Sequence, residues 1–121
     1  MITMKKLILA SFAAVVLSFG AAKAEETETL YKFYCAQCHG FDGNGDGPNV
    51  SQDFPVTPRN FNKGDVMGKL SDADLVNVIK EGGPSVSKSP MMPPWGKTLT
   101  DAEIAGLVKK LRVLCKCKGP S

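Results

Sequence analysis

Two thiols three positions apart, with an imidazole directly after the second, stand at Cys35-Ala36-Gln37-Cys38-His39. Each group has separate chemistry: the thiols add across the vinyl groups of a haem, the spacing matches those vinyls, and the adjacent imidazole reaches the iron. His39 is also the single histidine of the chain. A redox dithiol of the thioredoxin kind shares the Cys-X-X-Cys spacing but belongs on a sheet-bearing fold, and a zinc site requires two further ligands at suitable spacing. Haem attachment is the reading these residues favour. An iron that carries single electrons takes a second strong axial ligand, which keeps its geometry nearly constant between oxidation states. With no second histidine, a methionine thioether is the candidate, and it favours the ferrous state relative to two nitrogens. Met67, Met91 and Met92 are on offer beyond the leader. Met67 reads as core filler, whereas Met91-Met92-Pro93-Pro94-Trp95-Gly96 is a proline-stiffened loop able to press a thioether onto the iron.

The elements that must position these groups follow an N-terminal leader. Lys5 and Lys6 precede an apolar run from Leu7 to Gly20 and a small-residue site Ala22-Lys23-Ala24, the pattern of a secretory signal peptide over 1–24 cut after Ala24. The run is short for a membrane span, so the expected mature part, 25–121, is a single small domain without stable membrane insertion, an uncleaved N-terminal anchor being the alternative reading. Removing Lys5, Lys6 and Lys23 from the 15 basic residues leaves 12 to face 12 acidic ones. Such balance gives no footing for nucleic acid or for an anionic membrane.

Within 25–121 the pattern is helical. Glu25 to Gln37 predicts a helix running into the Cys-X-X-Cys-His, with Leu30, Phe33 and Tyr34 at helical spacing and acids at its start. Gly40 to Gly68 reads as a long ordered loop rich in Gly, Pro, Asn and Asp. Ser71-Asp72-Ala73-Asp74 predicts a helix start, with Leu75, Val78 and Ile79 behind it and Gly82-Gly83 as its end. Pro84 to Gly96 is a second loop. Thr100-Asp101-Ala102-Glu103 is a capping box that opens a last helix with the stripe Ile104, Leu107, Val108, Leu111 and Leu114. Three helices and two long loops bury little by themselves, so the loops require a filler.

Together, Cys35-Ala36-Gln37-Cys38-His39-Gly40, Asp42-Gly43-Asn44-Gly45-Asp46-Gly47-Pro48, Met92-Pro93-Pro94-Trp95-Gly96 and Leu99-Thr100-Asp101-Ala102-Glu103-Ile104 resemble, in order, the small class I bacterial cytochromes c. The resemblance implies an all-α cytochrome c fold of about three to four helices with long loops wrapped around one haem c, held through Cys35 and Cys38. It further implies His39 and Met92 as axial ligands, and a Pro48 carbonyl that accepts the His39 Nδ1–H. Phe61, Leu70 and Trp95 would line the haem, and Arg59 would pair with a propionate. The first and last helices would cross, packing Leu30, Phe33 and Tyr34 against Val108 and Leu111. The implied activity is non-enzymatic: one-electron transfer between periplasmic redox partner proteins. Alternatives are a haem-bearing subunit of a periplasmic oxidoreductase, and a gas-binding or sensory haem protein with an open sixth position.

Two features stand apart. Asp42 to Asp53 imitates an EF-hand calcium loop, but Phe54-Pro55 is unable to start the exiting helix and position twelve is Asp, not Glu. Cys115-Lys116-Cys117 departs from the family pattern. It has no following His to make a second haem site, and it leaves open a tight disulfide, a link between two molecules, or a thiolate metal site.

Overall fold

The structure, a computed structural model, describes residues 4–121, with side chains from Phe19 onward. The first residues of the leader, 1–3, lie outside the described residues. Helix α1 spans Met4–Tyr34, α2 Ala36–His39, α3 Gly64–Met67, α4 Asp72–Glu81 and α5 Asp101–Cys115, with a 3₁₀ turn at Gly83–Val86. The described residues include no strand, as expected of an all-α fold. None of the described helices is long and apolar enough to cross a membrane.

Helix starts follow the capping chemistry. Ser71 accepts from the Asp74 N–H while Asp74 accepts from the Ser71 N–H, and Thr100 and Glu103 do the same for α5. Two otherwise orphaned donors are thereby satisfied at each start. The α1 start differs from expectation. No proline interrupts the Ala- and Leu-rich leader, so the helix runs straight through it, and Glu25, Glu26 and Glu28 sit mid-helix with no acid in the first turn.

The core is one cluster in which Ile104, Leu107, Val108 and Leu111 of α5 meet Tyr31 of α1, Leu75 and Ile79 of α4, and Met67 of α3. Helices α1 and α5 form the main pairing. A Cβ on Gly106 would stand 2.7 Å from Thr27 Oγ1, so the crossing is close. Lys110 Nζ reaches Glu28 Oε2 at 2.6 Å across it and lies 4.6 Å from the centre of the Tyr31 ring. Leu30 and Tyr34 pack at the core edge as expected. Phe33 does not: it is 71% exposed, edge-on to Tyr34. The residue facing inward is Tyr31, fully buried, because positions four apart share a helix face and Tyr31 follows Thr27 on the side that meets α5.

At the far end of α5, Arg112 fastens three segments. Its Nε bonds Asp72 Oδ1 at 2.8 Å, Nη1 donates to the Met67 carbonyl at 2.9 Å, and Nη2 donates to the Leu70 carbonyl at 2.6 Å. Of the readings left open for Cys115 and Cys117, the structure takes the local disulfide.

Candidate functional site

Cys35 lies at the junction of α1 and α2, and its carbonyl accepts the N–H groups of Cys38 (3.2 Å) and His39 (2.9 Å). Positions 35, 38 and 39 therefore share one face. Both cysteines are free thiols and half-buried. Burial, then the neighbouring Cys38, pushes the Cys35 pKa up to about 11, so it stays protonated near neutrality. Burial also holds the His39 pKa below its ordinary value, partly opposed by a backbone hydrogen bond at Arg59.

That bond fixes the imidazole. His39 Nδ1 stands 3.0 Å from the Arg59 carbonyl oxygen. A carbonyl only accepts, so Nδ1 carries the hydrogen and Nε2 keeps its lone pair. The ring also stacks on Phe61, with centroids 4.4 Å apart and planes at 19°. The expected acceptor was Pro48, and here the structure corrects the reading. Residues 58–61 are drawn against the glycine-rich loop, with the Phe61 N–H bonded to the Gly43 carbonyl at 2.7 Å, and this delivers the Arg59 carbonyl to the ring. Pro48 is exposed.

The Asp-Gly run has a structural task. Four residues of α2 leave four carbonyls without helical partners. Gly40 N–H takes that of Ala36 (2.9 Å), Asn49 that of Gln37 (2.8 Å), Gly47 that of Cys38 (3.1 Å) and Gly45 that of His39 (2.7 Å). A Cβ on Gly47 would collide with the carbonyl oxygens of Gln37 and Ala36, so this approach of backbone to backbone admits only glycine. Asn62 Nδ2 ties the loop further, at 2.8 Å from both the Asp42 carbonyl and Asn44 Oδ1. From the helix side, Tyr31 Oη donates to the Gly40 carbonyl at 2.9 Å. Burial raises the Tyr31 pKa far beyond its ordinary value, so the hydroxyl remains a donor. Tyr31 was absent from the sequence-derived site. Its place four residues before Cys35 was the available signal.

The methionine loop is tied to the end of α4. Trp95 N–H bonds the Ile79 carbonyl at 2.9 Å, Gly96 N–H that of Lys80 at 3.0 Å, and Gly83 N–H that of Met92 at 2.9 Å. Met91 is 46% exposed, whereas Met92 is half-buried. Trp95 packs edge-on to Tyr34 at 4.9 Å, which sets the loop against the residue preceding Cys35. Phe61 is buried, Leu70 is half-buried at the core edge, and Arg59 is exposed.

Comparison with known families places this arrangement. The family model described as cytochrome c oxidase, cbb3-type, subunit III matches residues 22–109. The chain belongs to this cytochrome c family. Solved structures agree: a structure titled KustC0563 c-type cytochrome is 31% identical, with a TM-score of 0.54, over 75% of this chain and 95% of its own. Another, titled Kuenenia stuttgartiensis reducing HAO-like protein complex Kustc0457/Kustc0458, is 33% identical with a TM-score of 0.58 over 74% of this chain. This cytochrome spans 41% of that second protein's chain. A comparison with curated proteins finds no match. As a small c-type cytochrome, the protein has a haem c electron-transfer role.

Proposed function

We propose that this cytochrome is an exported, periplasmic one-electron carrier whose single haem is held by thioethers to Cys35 and Cys38, with His39 and Met92 as axial ligands. The observation that carries the reading is the His39 tautomer. Nδ1–H is engaged by Arg59, which leaves the Nε2 lone pair on the same helix face as two free thiols. That donor set fits covalent haem: a neutral imidazole is the ligating form, and the carbonyl behind Nδ1 orients the ring and strengthens it as a donor. When bound, the haem supplies an iron couple that accepts and releases one electron.

The chain's residues do the rest. Tyr31 and the Gly45 and Gly47 amides hold the attachment turn rigid, so little reorganisation accompanies a change of charge. Phe61, stacked on His39, would line the haem together with Leu70 and Trp95 and keep water from the iron's surroundings, and the exposed Arg59 guanidinium is available to a propionate. Met92 is favoured over Met91 because it is the half-buried member of the pair. Export is supported by the leader, and a mature N-terminus at Glu25 would verify it.

The test is the visible and near-infrared spectrum of holoprotein made in a host able to attach haem c. Ferric wild type shows a sulfur-to-iron charge-transfer band, Met92→Ala loses it, and Met91→Ala keeps it. High-spin iron without the band in wild type, with ready carbon monoxide binding when reduced, replaces this reading with an open-site haem protein.

A second reading, a haem-bearing component of a larger oxidoreductase, is favoured by the likeness to a chain of the reducing HAO-like complex. It predicts stable co-purification with a redox partner protein.

A further inference from the structure

Neither Cys115 nor Cys117, joined in a disulfide, is among the residues proposed to hold the haem. The disulfide also does little for the fold. A cross-link contributes by restricting the unfolded chain, and that contribution is smallest for the shortest loop; this one spans a sequence separation of 2. The intervening Lys116 sits at φ 50°, in the left-handed region that a lysine adopts at a cost. Helix α5 is already anchored at this end by Arg112, whose bonds to Asp72, Met67 and Leu70 involve neither sulfur.

The surroundings suit a reaction. Cys115 is 5% exposed, whereas Cys117 is half-buried and forms part of a surface hollow of about 350 Å³ with Arg112, Val113, Lys116 and Lys118. Arg112 Nη1 stands 3.8 Å from Cys117 Sγ. Lys116 and Lys118 are exposed at the rim, and none of the described ion pairs engages either lysine. One sulfur is thus approachable and the other shielded. The approach is cationic, which attracts an incoming thiolate and stabilises a departing one.

We propose that Cys115–Cys117 is a thiol–disulfide exchange site whose co-substrate is a protein dithiol presented on an acidic surface. The thiolate of that dithiol attacks Cys117 Sγ, forming a mixed disulfide as the Cys115–Cys117 bond breaks and Cys115 leaves as thiolate, to be protonated. The partner's second thiol then attacks its own sulfur in the mixed disulfide and releases the Cys117 thiolate beside Arg112. In sum, two electrons and two protons pass from partner to protein. The partner ends as a disulfide and Cys115 and Cys117 as thiols.

The experiment uses native holoprotein and dithiothreitol as the dithiol probe, with acid quenching, alkylation and peptide mass measurement over time, while the visible spectrum monitors the haem domain. Wild type is expected to gain one alkyl group on each of Cys115 and Cys117 at a rate within tenfold of that of oxidised glutathione in the same buffer. The double variant Lys116→Glu, Lys118→Glu, altered only at exposed positions, is expected to react at least fivefold more slowly with an unchanged spectrum. Alkylation only after unfolding in guanidinium overturns the proposal. So does a rate that the charge reversal leaves unmoved.

Discussion

The two sides of the site are built by different means. On the His39 side, the proposed ligand lies in a four-residue helix whose free carbonyls are all taken by loop amides, with Tyr31 and the Arg59 carbonyl locking the turn and the ring. On the methionine side, a segment with Pro90, Pro93 and Pro94 has few amides to give and is secured mainly where it meets Ile79, Lys80 and Gly83. One side is specified by a dense network over a short stretch of chain, the other by stiff backbone hung from a helix end. The lesson is that the Cys35–His39 side can be rigid before any ligand arrives, while the methionine side depends on the register of one loop against α4.

Gly47→Ala is the largest expected break in this comparison. Its methyl group would collide with two α2 carbonyls, so holoprotein stability should fall by about 3 kcal/mol, read by thermal unfolding. Yield of attached haem should fall too, but the folded fraction should retain the sulfur-to-iron band.

Gly82→Ala is the matching lesion on the other side. Gly82 sits at φ 81°, and a Cβ there would approach the Met92 carbonyl to 2.8 Å. Stability should fall by about 1–2 kcal/mol, with the charge-transfer band weakened out of proportion. If both variants lose stability and band in step, the two sides are not independent.

The smallest effect tests the scaffold beneath both. The Lys110 hydrogen bond holds the Glu28 pKa below its ordinary value of 4.5, partly opposed by burial. A carboxylate whose pKa is lower folded than unfolded stabilises above its ordinary pKa, and that stabilisation disappears as pH falls through the folded value. Its side chain is 42% exposed, so solvent screening limits the contribution to less than about 1 kcal/mol. Glu28→Gln should lower stability slightly at neutral pH and flatten the acid side of the stability profile, measured by denaturant unfolding across pH.

What could be read from the sequence was local. The Cys-X-X-Cys-His and the two capping boxes are complete within a few residues, so their chemistry is visible without the fold. Ser71 and Thr100 accordingly start their helices at the expected positions. The helix crossing was implied by the family resemblance alone, and Phe33 and Tyr31 are two positions apart and both aromatic. Which one faces α5 depends on the rotation of α1, a tertiary property. The Arg59 carbonyl was hidden for a different reason: a backbone acceptor leaves no mark in residue identity, and the way 58–61 folds back on Gly43 is decided by loop packing. Short elements such as α3 and the 3₁₀ turn carry too few residues to show a period within Gly- and Pro-rich sequence.

The Glu28–Lys110 contact joins groups 82 positions apart and so fastens the two ends of the domain to one another. Between them, Ser51, Gln52 and Asp53 are exposed, and Pro55, Val56 and Thr57 follow in the same condition. A protease that cut this stretch would produce two fragments, one carrying α1 with Cys35, Cys38 and His39, the other carrying α4, the methionine loop and α5. Each fragment would keep its half of the α1–α5 pairing, and the core on both sides of the nick would continue to hold them as one particle. A chain nicked at 51–57 is therefore expected to migrate as one particle in gel filtration, whereas loss of either terminal helix would undo the α1–α5 pairing.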